Sequence, residues 1–522
     1  MNEKMKNAIS FIIHFLGIDI VLFFAFVFCF FANINIENPV ARIFALFLAL
    51  LGIWLSKVFL ESAYKGSNST VITFMVAMVE LGVFLNLYIV GFEANRKFSQ
   101  IADYWLGITG FIPVTLCIIA VQFLSNPENR KKKTGTFGSV VAVFLIIVSI
   151  LWVFGCPEVE GMGDVVKQSS KAIIEVAFIC AFVAFFDGNI RFFSVDNLGK
   201  KVKFYLRVFL GCMICLVIVA FLVRKLTSFR NAILEVLKVF VLLTFSLFYY
   251  QKMNLKEESQ PQKDNAIKTL IRVLFVDVVI FLAGFLAGEF GTALILSLFV
   301  FLLILFVFSS MSEERSGKKN LGKVLAWSIA IFILIFLLLY FLCYSIYLKD
   351  STLTIGLKNL GLYDKLDRIF NLSGNVQIEE MNTAINESPR LFVALPYNVS
   401  LAGRLQTRVE DFSFMNIVTV FGSLVGSILM VLMVTVPAKM IQKIEMKYPA
   451  DKLYSIRNLF CIGGCTLFIS NTLIHIIANF GLFLFTGVTL PFISNGFMNM
   501  AVFYLIFTQV LRNLDTLNDI KE

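Results

Sequence analysis

Runs of about twenty apolar residues recur roughly fourteen times along this chain, and no other feature restricts its fold as much. The approximate spans are 8–32, 40–61, 70–92, 104–124, 137–154, 170–187, 203–222, 231–250, 266–287, 290–309, 322–347, 412–436, 453–484 and 488–512. Inside lipid every backbone N–H and C=O must be satisfied by the chain itself, so apolar runs of this length read as transmembrane helices. The expected fold class is an all-α polytopic membrane protein with about 14 transmembrane helices. Composition agrees: 58% of the 522 residues are hydrophobic and 15% are charged, a balance that soluble domains do not sustain. The first run, Ala8 to Asn33, lacks a small-residue cleavage site and reads as a span, not as a removed signal.

Charge placement orients the spans. Arg130, Lys131, Lys132 and Lys133 follow the fourth run, and the positive-inside rule makes that loop cytoplasmic. Counting back puts Lys4 and Lys6 inside. Counting forward does the same for Lys200, Lys201 and Lys203, for Lys252 and Lys256, for Arg315, Lys318 and Lys319, and for Lys439, Lys443 and Lys447. The acidic stretch Glu158–Asp164 falls outside. Both termini are therefore expected in the cytoplasm. The net charge of +10 is accounted for by these loops, so no nucleic-acid partner is expected. One long polar stretch, 349–411, separates the eleventh and twelfth runs on the outer side.

Few residues can carry chemistry. The two histidines, His14 and His475, cannot build a zinc cluster or a His-based triad. The nine cysteines are scattered through apolar runs and read as buried thiols. No phosphate-cradling glycine loop is present, so no nucleotide cofactor is expected. Ionisable residues at membrane depth then stand out. Glu235 and Lys238 lie one helical turn apart near the outer end of the eighth run, as a functional pair or a structural ion pair. Glu289 sits at the outer turn before the tenth run, where it is a site residue or a solvated carboxylate. Asp411 opens the twelfth run, as a reactive carboxylate or as an N-cap. Thr486 to Phe497, TGVTLPFISNGF, places two glycines, a proline and a Ser-Asn pair at membrane depth. Irregular backbone there needs protein or a water-filled cavity around it. The stretch is therefore either a site or a tight packing feature, its glycines allowing close helix approach.

Several segments, in order, resemble the SEDS family, the FtsW, RodA and SpoVE proteins. TGVTLPFIS is similar to the family's TGVPLPFVS. DFSFMNIVTVFG (Asp411 to Gly422) resembles DFIFAVIAEELG, with the Asp, both Phe and the Gly in register. GEFGTALIL (Gly288 to Leu296) resembles PDLGTALVL, EVLK (Glu235 to Lys238) resembles the SELAK pattern, and LDRIF (Leu366 to Phe370) resembles the family's RI element. The resemblance covers about residues 130–514, the last ten spans, and leaves 1–124 as an additional four-helix segment. The chain departs from the pattern at Asn495 and Phe497, at Thr419-Val420 in place of paired glutamates, and at Glu387–Leu395 in place of a glycine-rich run.

The resemblance implies a peptidoglycan glycosyltransferase of the bacterial cytoplasmic membrane. Such a protein polymerises lipid II on a glycan strand held by undecaprenyl pyrophosphate, at the outer face, beside a class B penicillin-binding protein. It implies Asp411 as catalytic base. Substrate contacts would come from Lys238, Glu235, Arg368, Ser494, Asn495 and Glu289, with Arg390 or Arg404 as further positive charge. A divalent cation, Mg or Mn, would assist as a Lewis acid. Two other functions fit the same residues: a transporter of lipid-linked precursor, and a non-catalytic scaffold for the transpeptidase.

Overall fold

The computed structural model describes residues 69–90, 202–222, 227–254, 290–313, 412–448, 455–480, 488–494 and 497–515, with single positions between 43 and 60 and at 281, 344, 383 and 386. Regular structure among the described residues is helical throughout, without a strand. The helices are α1 (Ser69–Val90), α2 (Val202–Leu222), α3 (Thr227–Asn254), α4 (Phe290–Glu313), α5 (Ser413–Phe421), α6 (Ser423–Lys447), α7 (Ile456–Asn479) and α8 (Phe497–Asp515). Of the expected spans, the first and the fourth to sixth lie outside the described residues. The ninth, the eleventh and the loop 349–411 do so apart from Phe281, Tyr344, Thr383 and Asn386.

Helix α7 is the axis of the described assembly, touching α3, α4, α5, α6 and α8. Two adjacent glycines let its neighbours close in, as small residues do where helices meet in lipid. A Cβ on Gly463 would stand 2.5 Å from the Leu242 Cδ1 of α3, and one on Gly464 would stand 2.3 Å from the Ile506 Cγ2 of α8. The apolar core runs continuously from α1 through α8, with Phe468 of α7 ringed by Phe74, Phe492, Phe503 and Phe507.

Among the described residues three segments are long and apolar enough to cross a membrane: Ile233–Gln251 in α3, Ser423–Lys447 and Ile456–Asn479. Helix α6 leaves most of its apolar surface outward, including Ile428 and Val431. Along α2, Phe204, Ile214, Ile218 and Leu222 are likewise exposed. A contiguous apolar surface of this kind suits lipid and is rare on proteins in water. The described part is thus a helical assembly compatible with insertion in a membrane.

Two of the expected spans are interrupted. The run 412–436, read as one helix, is divided at Gly422, whose φ of 93° and ψ of 160° separate the nine-residue α5 from α6. Hydropathy is blind to this break, because the residues on either side are equally apolar. That region of backbone space is open to glycine almost alone. Gly422→Ala is therefore expected to destabilise the fold by about 1–3 kcal/mol, read as a lower midpoint of thermal unfolding in detergent. The run 488–512 is also not one helix: α8 starts at Phe497, and Val488–Ser494 is non-helical and almost wholly buried.

Candidate functional site

Polar side chains of the described residues gather where the start of α3, the whole of α5, the last two turns of α7 and the start of α8 meet the strip 488–494. The i,i+3 spacing of Glu235 and Lys238 puts both on one face of α3, and Lys238 Nζ lies 2.6 Å from Glu235 Oε1. Lys238 is only 1% exposed, and its second acceptor is Asn471 Oδ1 of α7 at 3.2 Å. Asn471 in turn donates from Nδ2 to the Thr489 carbonyl at 2.8 Å, so the ion pair is tied to the strip through one amide side chain. From α8, Asn499 Nδ2 reaches Glu235 Oε1 at 3.5 Å.

The strip is built as a turn. Pro491 follows Leu490, Phe492 takes φ 65°, and the Ile493 amide returns to the Leu490 carbonyl at 3.3 Å. This is the pattern of a type II turn, in which the residue after proline needs positive φ and is usually glycine. A phenylalanine there costs on the order of 1–3 kcal/mol of backbone strain. The Phe492 ring, packed on Phe468 and Phe507, offsets that cost. Ser494 Oγ closes the turn by accepting the Leu490 amide at 2.6 Å, and it shares a 2.7 Å hydrogen bond with Ser413 Oγ at the start of α5. The irregular backbone inside the span is therefore buried in protein and hydrogen-bonded to side chains, as non-helical backbone at membrane depth must be.

Asn471, His475 and Asn479 recur every four residues along one face of α7, and they satisfy the two irregular segments together. His475 Nδ1 donates to the Val488 carbonyl, while its Nε2 accepts the Phe414 amide at 3.3 Å. Both ring nitrogens are engaged, which fixes the neutral Nδ1–H tautomer by geometry. Asn479 Oδ1 accepts the Met415 amide at 3.1 Å. Phe414 and Met415 are the second and third residues of α5, whose amides an N-cap side chain would ordinarily accept. The residue at the cap position is Phe412, with no side-chain hydrogen bond. Helix α7 thus does from a distance the work expected of an N-capping aspartate.

Four residues at this end carry buried polar atoms without a partner among the described residues: Glu235 Oε2, Asn499 Oδ1, Thr472 Oγ1 and both side-chain polar atoms of Asn416. An unsatisfied buried group costs roughly 1–3 kcal/mol, and each such group in a native fold calls for a bound water, an ion, a ligand or a functional use. At the other end of the bundle Asn513 bonds Asn458 at 2.8 Å and Tyr448 at 3.0 Å, while the buried Tyr249 hydroxyl near the end of α3 has no partner among the described residues.

Among the sequence candidates, Glu235 and Lys238 are brought into one network, and Ser494 is buried as a turn-closing acceptor. Asp411, Glu289, Arg368, Asn495, Arg390 and Arg404 lie outside the described residues. Among the described residues no three His, Cys, Asp or Glu side chains gather around one point. Among the described residues the one orphaned carboxylate oxygen, Glu235 Oε2, belongs to a carboxylate paired with Lys238. The other carboxylates expected at the site, Asp411 and Glu289, lie outside the described residues. The sequence reading missed His475, Asn479 and Asn499. A signal was present, since polar residues four apart on an apolar span imply bonded partners within the membrane.

No protein-family model matches this chain, and no curated protein matches it significantly.

Proposed function

We propose that this protein is a divergent SEDS-like peptidoglycan glycosyltransferase, with the site at the outer face of a bacterial cytoplasmic membrane. The observation that carries the reading is convergence. Three stretches that resemble family motifs, EVLK at 235–238, DFSF at 411–414 and TGVTLPFIS at 486–494, are far apart in sequence. Two hydrogen-bond chains join them: Lys238 through Asn471 to Thr489, and Ser413 to Ser494. A fourth, GEFGTALIL, runs into α4, which packs on α7. On this reading the chain has about 14 spans, the last ten forming the family-like core over 130–514. The basic loops and both termini lie inside.

The reaction needs two things. The 4-hydroxyl of lipid II attacks the anomeric carbon of the donor strand, and the bond from that carbon to undecaprenyl pyrophosphate breaks with the electron pair leaving on the pyrophosphate. A carboxylate must take the hydroxyl proton, and positive charge must offset the leaving group. Asp411 is the base in this scheme. The His475 and Asn479 hydrogen bonds already satisfy the α5 amides that an N-cap side chain would otherwise accept. Glu235 holds the Lys238 ammonium in place, and Lys238 with Arg368 supplies positive charge. A class B penicillin-binding protein is the partner that would cross-link the strands.

Asp411→Asn keeps the shape of the side chain and removes the base. The expected result is unchanged binding of lipid II with strand elongation slowed at least ~100-fold, the usual worth of a positioned base, measured on purified protein in liposomes. Unchanged elongation would move the base to Glu410, and lost binding would make Asp411 a substrate anchor instead.

A further inference from the structure

Helix α1 belongs to the additional segment 1–124, yet it is packed against the strained turn of the site. At Gly82 the approach is backbone to backbone: a Cβ there would stand 2.6 Å from the Ile493 carbonyl oxygen and 2.9 Å from the Ile493 Cα. Neither atom is the end of a movable side chain, so even alanine would push the turn away. Aromatic contacts extend the seam along α1. Phe74 lies 6.2 Å from Phe468 and 6.4 Å from Phe507, and Phe84 lies 5.4 Å from Phe421 at the end of α5. Glu80, buried on the same helix, accepts the Trp54 indole N–H at 2.9 Å. A positive-φ phenylalanine persists only where its surroundings over-determine the backbone. Here one wall of that enclosure is Gly82.

We infer that Gly82 is a positioning residue: α1 clamps the Leu490–Ser494 turn and so sets the Ser494 hydroxyl and the Val488 and Thr489 carbonyls that anchor α5 and the Lys238 network. The additional segment is on this account a working part of the site, although the resemblance leaves it unmatched. The catalytic half of the inference rests on the proposed glycosyltransferase function; the conformational half does not.

The test uses the full chain in lipid nanodiscs, comparing Gly82→Ala and Gly82→Val with Gly211→Ala, since Gly211 on α2 has open space around it. Hydrogen exchange is followed at the Leu490, Ile493 and Ser494 amides, all hydrogen-bonded within the turn. Gly82→Ala is expected to speed exchange there about tenfold while α7 and α8 keep their protection, and Gly211→Ala should change neither. Strand synthesis from lipid II by Gly82→Ala should show a lower kcat at unchanged KM. Unaltered exchange in the turn would overturn the clamp, and so would faster exchange spread evenly over α7 and α8. If the wild type makes no strands, the exchange result still decides the conformational half. If Gly82→Val does not fold, Gly82→Ala decides it alone.

Discussion

Lys238→Met is expected to destabilise the folded protein by about 3–5 kcal/mol, because it leaves the Glu235 carboxylate largely buried with its cation removed. Methionine fills the space of the lysine stem, so packing changes little and the loss is electrostatic. Asn471 Oδ1 loses its donor at the same time. The double substitution Glu235→Gln with Lys238→Met removes both charges, and a buried pair replaced as a unit is often nearly neutral. It should therefore recover most of the stability, read as the midpoint of thermal unfolding in detergent. The cycle separates two roles that geometry leaves joined. If the pair serves only the fold, the recovered double variant regains full strand synthesis. If Lys238 offsets leaving-group charge, the double variant folds and stays slow.

His475→Phe is the second large effect. Phenylalanine has nearly the same ring volume but leaves the Phe414 amide and the Val488 carbonyl without partners. Each orphaned buried group costs roughly 1–3 kcal/mol, so for the two a loss of about 2–6 kcal/mol is expected. Hydrogen bonds between helices in lipid average less than this when both partners can find substitutes. These two groups cannot, since the strip and the start of α5 are buried against α7. His475→Gln keeps one donor and one acceptor and should recover part of the loss. A variant as stable as wild type with phenylalanine at 475 would mean that the two segments are held by something other than the histidine bridge.

These residues also show where sequence reading works for such a chain and where it fails. The Glu235–Lys238 pair was legible because three-residue spacing on a helix is a local property. The break within TGVTLPFIS was legible because glycine, proline and a Ser-Asn pair conflict with a continuous helix. The partners of these groups were not. Lys238 and Asn471 are 233 positions apart, and nothing in either neighbourhood names the other. The division at Gly422 escaped because it lies inside an uninterrupted apolar run, where only a backbone angle marks it. Ser494, a substrate contact on the resemblance, bonds the Leu490 amide and Ser413 Oγ, partners that no local signal names. Asn471, His475 and Asn479 could have been found together by their spacing of four, had polar side chains in a span been treated as obligate hydrogen-bonding groups.

The measurement that tests the account most directly is the product of purified wild-type protein incubated in liposomes with lipid II carrying a labelled sugar. The account predicts glycan strands of increasing length and release of undecaprenyl pyrophosphate, without added nucleotide. Lipid II left unpolymerised, with the chain well folded and a co-purifying transpeptidase present, would contradict it and leave transport or scaffolding as the work of this site.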